Sequence, residues 1–305
     1  MKYEIKLKEE KDEALSYLLS FLPKDLGTSL IGFCFEKKYK AINEIRIKKD
    51  AFIYLIADSK NVKTDIYVSD SSIDEIFQSL CHGSVYAHIE TIKDGYISVG
   101  QGIRAGVCGS AVLEGKTIVG IKDVSSINIR IPQKIDGASS YIYNLLEKTS
   151  FQKSILLYSP PGIGKTSILR DLVIKLGKQK SPIRFAVIDS REEIITPYSQ
   201  NANCDAYISY PKGLAIEQAT KSMTPQLIIC DEISSEQEAN AILKASHSGV
   251  KLIATTHASR YEELDVKSII KPLINSGIFD YFIGVERKYG EKTYKFTLNE
   301  HKAEV

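Results

Sequence analysis

The chain has 305 residues, 43% of them hydrophobic and 26% charged, and its 40 basic and 38 acidic residues leave a formal net charge of +2. This length exceeds what one core usually holds, so two domains are expected, and the near-neutral charge argues against a nucleic-acid tail or a polybasic membrane anchor. No apolar run approaches the ~18 residues that span a bilayer, so no intrinsic membrane span is expected. The apolar stretch 14–21 is short, is followed by Pro23-Lys24-Asp25 and lacks a small-residue cleavage site, so it does not read as a signal peptide. Five scattered cysteines with no C-x-x-C pair read as reduced core residues of a cytoplasmic protein, not as a disulfide framework or a zinc site.

In chain order, residues 42–57 (INEIRIKKDAFIYLIA) alternate locally and predict strand with a turn near 48–50. Residues 71–81 carry Ile73, Ile76, Phe77 and Leu80 at helical spacing before Gly83. From 95 to 131, short alternating runs punctuated by glycine predict antiparallel strands with Glu114-Gly115 as a turn. This first part, 1–138, is expected to be a smaller α+β N-terminal domain, with 136–140 (DGASS) as the junction. The second part, 139–305, alternates strand and helix. Strands are predicted at 154–158, 183–189, 226–231, 251–256 and 281–286, with a terminal hairpin around Tyr289-Gly290. Helices are predicted at 165–176, stopped by Gly177, and at 235–248, opened by a capping box from Ser235 to Glu238. Such alternation implies a parallel sheet flanked by helices.

Between the strand at 154–158 and the helix at 165–176 stands Ser159-Pro160-Pro161-Gly162-Ile163-Gly164-Lys165-Thr166-Ser167. A glycine-rich turn feeding a helix N-terminus supplies converging N–H donors for phosphate, Lys165 a mobile cation, and Thr166 a hydroxyl for Mg²⁺. The segment is a P-loop except at its first position, where Ser159 replaces glycine. Residues 161–167 are therefore the expected ATP-binding residues. The run Leu227-Ile228-Ile229-Cys230-Asp231-Glu232 ends a buried strand in two acids, Asp231 to hold Mg²⁺ through water and Glu232 to polarise an attacking water. Asp189-Ser190-Arg191-Glu192-Glu193 and Thr255-Thr256-His257 end two further strands, where an open α/β sheet binds its ligand. Glu193 and His257 are the candidates there to sense the γ-phosphate or orient water. A GTPase is disfavoured because no N-K-x-D motif occurs in the chain.

P-loop, acidic box, Walker B acids and histidine box, in this order, resemble the ATPases of type II and type IV secretion systems. A sporulation-specific branch of that superfamily is similar through Ile45-Arg46-Ile47, Gly95-Tyr96-Ile97, Arg104-Ala105-Gly106 and Asn128-Ile129-Arg130, and again through Leu169-Arg170-Asp171 and Asp231-Glu232-Ile233. The resemblance runs from about 40 to 265, and departs at Ser159, usually glycine, and at Ser190, usually glutamate. It implies a RecA-like ATPase core behind an N-terminal domain. It also implies a homo-oligomeric ring, a hexamer, that converts hydrolysis of Mg²⁺-ATP into domain motion. Arginines of the first domain or of a neighbouring subunit, Arg104 and Arg130, would complete the site. The partners it implies are membrane-embedded proteins of a sporulation channel, with the protein recruited peripherally to the mother-cell side of the forespore membrane. Two other classes compete. A RecA-like nucleic-acid motor or helicase loader would need a basic stripe or stacking aromatics, which net charge +2 and the absence of tryptophan disfavour. A nucleotide-gated scaffold would bind ATP and turn it over little.

Overall fold

A computed structural model of the chain describes residues 13–39, 41–58, 60–134, 136–179, 181–199, 202–287 and 293–300. The expected hairpin tip at Tyr289-Gly290 lies outside them. The chain divides into two compact units, Met1–Gln133 and Lys134–Val305.

The first unit contains helices α1 (Glu13–Leu19), α2 (Lys24–Glu36), α3 (Asp70–Leu80) and α4 (Ile89–Lys93). Its strands are β1 (Ile42–Lys48), β2 (Ala51–Ala57), β3 (Lys60–Val68), β4 (Tyr96–Gly100), β5 (Ile103–Glu114) and β6 (Thr117–Arg130). They form one antiparallel sheet in the order β3-β2-β1-β6-β5-β4. Period-2 patterning turns Ile45, Ile47, Ile53, Leu55, Ile127 and Ile129 inward, where α3 packs its Ile73, Ile76 and Leu80 face onto the sheet. The outer halves of β5 and β6 form a long exposed hairpin.

In the second unit the helices are α5 (Ser140–Lys148), α6 (Lys165–Lys178), α7 (Lys212–Gln218), α8 (Glu236–His247), α9 (Glu262–Asp265) and α10 (Lys271–Asn275). The strands are β7 (Ile155–Ser159), β8 (Phe185–Asp189), β9 (Asp205–Ile208), β10 (Leu227–Glu232), β11 (Lys251–His257), β12 (Tyr281–Glu286) and β13 (Lys295–Glu300). The sheet runs β13-β12-β7-β11-β10-β8-β9, parallel throughout except where β13 returns antiparallel along β12. β7 and β8 are buried at every residue, because helices cover both faces. One face packs Leu157, Ile253 and Val187 against α5 and α6. The other packs Leu156, Ile228 and Ala254 against α7, α8 and α10.

Three local expectations need correction. Gly177 does not stop α6, which continues to Lys178. A Cβ at position 177 would meet the Ala202 Cα at 2.5 Å, so this glycine lets the helix approach the 202–203 backbone. The capping box at α8 is half formed: Ser235 Oγ accepts from the Glu238 N–H at 3.2 Å, but the Glu238 carboxylate takes the Ser234 N–H, at 2.7 Å. Among the cysteines, Cys81 and Cys230 are buried and Cys34 and Cys204 half-buried, while Cys108 is exposed on the β5–β6 hairpin rather than in a core.

Candidate functional site

Register brings the predicted side chains together. His257 at the end of β11 pairs with Ser159 at the end of β7, and Glu232 at the end of β10 pairs with Thr255. Between Ile229 and Glu232, β10 spends three residues against two of β11, from Ile253 to Thr255. This bulge re-aims the strand end where the two acids stand. Beyond β7 the chain turns through Gly162 (φ 78°) and Gly164 (φ 115°), both left-handed, and enters α6 at Lys165. The first-turn N–H groups of α6 are thereby left facing the loop. Gly164 is closely constrained: a Cβ there would meet Tyr294 Oη at 2.5 Å.

Lys165 is 7% exposed, and its ammonium has three partners. Nζ lies 2.9 Å from the Ser159 carbonyl, 3.1 Å from Ser159 Oγ and 2.8 Å from His257 Nδ1. The side chain of the serine that breaks the motif at its first position thus contributes one of the two oxygens around the lysine. On its other side His257 Nε2 lies 3.1 Å from Glu232 Oε2. An ammonium only donates, so toward Lys165 Nδ1 accepts, and Nε2–H faces the carboxylate as donor. Arg191 Nη1 approaches the same Glu232 oxygen at 3.6 Å. Burial holds the Lys165 ammonium down at about 8, with Glu232 pulling the other way.

Asp231 is buried beside Lys212, whose Nζ lies 2.6 Å from Oδ1 in an ion pair. Burial opposes the charge on Lys212; Asp231 and Glu238 outweigh it and hold that ammonium above its ordinary value. Asp231 Oδ2 is buried and meets no hydrogen-bond donor among the described residues. An orphaned carboxylate oxygen of this kind suits a hydrated Mg²⁺, whose waters donate, and half-buried Thr166 at the start of α6 offers the hydroxyl the motif requires. Among the described residues no group of three or more His, Cys, Asp or Glu is arranged to hold a metal by itself.

The acidic box divides into two roles. Asp189 Oδ1 accepts the N–H of Glu193 at 2.8 Å, and Oδ2 accepts those of Ile194 and Ile195 at 2.9 and 2.8 Å. Asp189 therefore closes the loop rather than facing a ligand. Burial pushes it up to about 6 against the pull of those three donors. Glu193, half-buried, lies within electrostatic reach of Asp231, and its carbonyl accepts from Arg170 Nε. Arg104 and Arg130 stand opposite each other on β5 and β6 of the first unit. The Arg104 guanidinium lies 5.2 Å from the Tyr96 ring centroid, and Arg130 Nε lies 3.5 Å from Glu44 Oε1. Lys212 escapes sequence reasoning altogether: it follows Pro211 in an unremarkable stretch, and its partners come from β10 and α8. Arg191 was visible only as part of the box. An open cavity of about 590 Å³ abuts Ser159, Pro160 and Ile163, but Lys165, Asp231, Glu232 and His257 do not line it.

The sequence model of a family described as sporulation stage III, protein AA, matches residues 26–303. The chain belongs to that family. Stage III sporulation protein AA of Bacillus subtilis (strain 168) is 28% identical over 288 residues, 92% of this chain and 93% of that protein. Among solved structures, the Legionella pneumophila ATPase DotB superposes with a TM-score of 0.59 at 16% identity, over 88% of this chain and 78% of that one. The pilus retraction motor PilT, solved with bound ADP, gives 0.62 at 12% identity, over 90% and 83%. At such identities the likeness concerns the fold. It is a RecA-like ATPase core that follows an N-terminal α+β unit in the chain, as the resemblance to the secretion ATPases implied. No helix among the described residues is long and apolar enough to cross a membrane.

Proposed function

We propose that this protein is an ATP-hydrolysing motor of a sporulation-specific, secretion-like apparatus, working as a homo-oligomeric ring, a hexamer, and recruited by membrane-embedded partners. The observation that carries this reading is the line Lys165–His257–Glu232, which joins the P-loop to the Walker B acid at the carboxyl ends of β7, β10 and β11. Family membership supports the sporulation role, and the likeness to DotB and PilT supports a motor.

In this reading residues 161–167 cradle the phosphates, with Lys165 turning from Ser159 and His257 toward the β- and γ-oxygens. Magnesium held by Thr166 and Asp231 would neutralise charge on the triphosphate. Glu232 orients and polarises the attacking water. His257, released by Lys165, keeps Glu232 aimed through its Nε2–H. Glu193 and Arg191 flank the γ-phosphate position, and Arg104 or Arg130 supplies the finger that completes the charge. No intrinsic membrane span and no nucleic acid enter this reading. Glu232→Gln separates a motor from a nucleotide-gated scaffold. Phosphate release is expected to fall by about 10²-fold or more while nucleotide affinity is retained, the usual magnitude for losing a positioned base. Unchanged phosphate release would remove hydrolysis at this site.

A further inference from the structure

Local sequence gives Lys212 no reason to be buried. It opens α7 directly after Pro211, at the positive end of a helix, where a cation is disfavoured. Yet it is only 6% exposed, and lysines are rarely buried unless paired. Besides Asp231 Oδ1 at 2.6 Å, its Nζ faces Glu238 Oε2 at 3.6 Å and donates to the Glu232 carbonyl. Every one of these partners sits at the end of β10 or in the first turn of α8, the segment that presents the Walker B acids. The two oxygens of Asp231 are thereby divided, Oδ1 to the ammonium and Oδ2 to no donor.

We propose that Lys212 is a positioning residue for Asp231: a built-in cation that holds this carboxylate in place when no divalent ion is bound, and weakens the site's own hold on such an ion. The inference rests on the Mg²⁺-nucleotide reading above. Two cations sharing one carboxylate repel each other, whereas Asp231 alone would attract a divalent ion unopposed. With Lys212 on Oδ1, a single oxygen is left to reach the ion through water. Free metal then binds poorly, and the ion is loaded with the triphosphate that carries it.

Lys212→Met removes the charge at similar length; Lys212→Arg keeps it. Two measurements read the effect, melting in EDTA and in MgCl₂ without nucleotide, and Mg²⁺-dependent binding of a fluorescent ATP analogue. The wild type should melt independently of free Mg²⁺. Lys212→Met should melt lower in EDTA, recover with MgCl₂, and reach its Mg²⁺ midpoint at about tenfold lower concentration, a coupling usual for charged neighbours. Lys212→Arg should restore most of the wild-type behaviour. Equal Mg²⁺ midpoints in wild type and Lys212→Met overturn the proposal. If Lys212→Met does not fold, the double variant Lys212→Met/Asp231→Asn decides, because removing both charges should recover a cooperative melt. A double variant no more stable than the single one also overturns it. If wild-type nucleotide binding ignores Mg²⁺, the assignment of Mg²⁺ to this site falls and the tuning with it. The EDTA melts of single and double variants still judge whether Lys212 holds Asp231.

Discussion

Lys165 must be charged to hold a triphosphate, but burial has lowered its affinity for the proton to about 8. In the empty site it is mostly charged below pH 8 and mostly neutral above. A bound triphosphate favours the ammonium, so binding above pH 8 draws in a proton. Affinity should then fall by about tenfold per pH unit on the alkaline side, one proton being linked to one binding event. Calorimetry in buffers of different ionisation enthalpy should detect close to one proton taken up at pH 9 and much less at pH 7. The same count at both pH values would mean that Lys165 is not the group that changes its protonation.

At the scale of elements, the two glycines of the P-loop helix make opposite demands. Gly164 stands at φ 115°, with Tyr294 Oη where a methyl would go, so Gly164→Ala distorts the loop. Nucleotide affinity should fall well before stability does. Gly177 lies inside α6, where alanine by itself would favour the helix by roughly 1 kcal/mol. Its methyl would strike Ala202, and overpacking of this kind costs about 1–3 kcal/mol. Gly177→Ala should therefore lower the urea midpoint and leave nucleotide affinity alone; a raised midpoint would mean the helix gives way easily. The same pair marks what was legible in advance. The strands β7, β8, β10 and β11 were readable because burial on both faces leaves uninterrupted apolar runs ending in polar site residues. α6 was readable from its stripe, but Gly177 imitates a stop signal because tight packing and chain reversal call for the same residue. β9 and α7 carry only four and seven residues, too few to show a period. For the site, Lys165, Asp231, Glu232 and His257 could be named from motif order. Asp189 could not be told from a ligand-facing acid, since its partners are backbone N–H groups fixed only by the loop. Lys212 could not be found at all, because its charge is answered by β10 and α8, about twenty residues further along the chain.

For the whole molecule, the question is whether one chain completes its own site. Arg104 and Arg130 belong to the first unit, and Arg130 is largely exposed, its Nε 3.5 Å from Glu44 Oε1. If Arg130 acts in a neighbouring subunit's site, Arg130→Ala and Glu232→Gln should each be nearly inactive alone. An equal mixture should regain about a quarter of wild-type ATP turnover, because random assembly in a ring pairs an intact Glu232 with an intact Arg130 at about one interface in four. A mixture no better than the mean of its components would place no arginine in trans at that position. Wild-type turnover per subunit should also rise with protein concentration.

The ties around the two buried lysines also have a spectroscopic consequence. Ammonium protons that are shielded from water and held by fixed acceptors exchange slowly enough to be seen by NMR, whereas those of exposed lysines vanish into the solvent signal. Lys165, between Ser159 and His257, and Lys212, against Asp231, should each give such a resonance in ¹⁵N-labelled protein near neutral pH. In the proposed reading, one reports the phosphate side of the site and the other the metal side. Adding nucleotide with and without Mg²⁺ should therefore move the two signals separately, giving an unlabelled view of how the site fills.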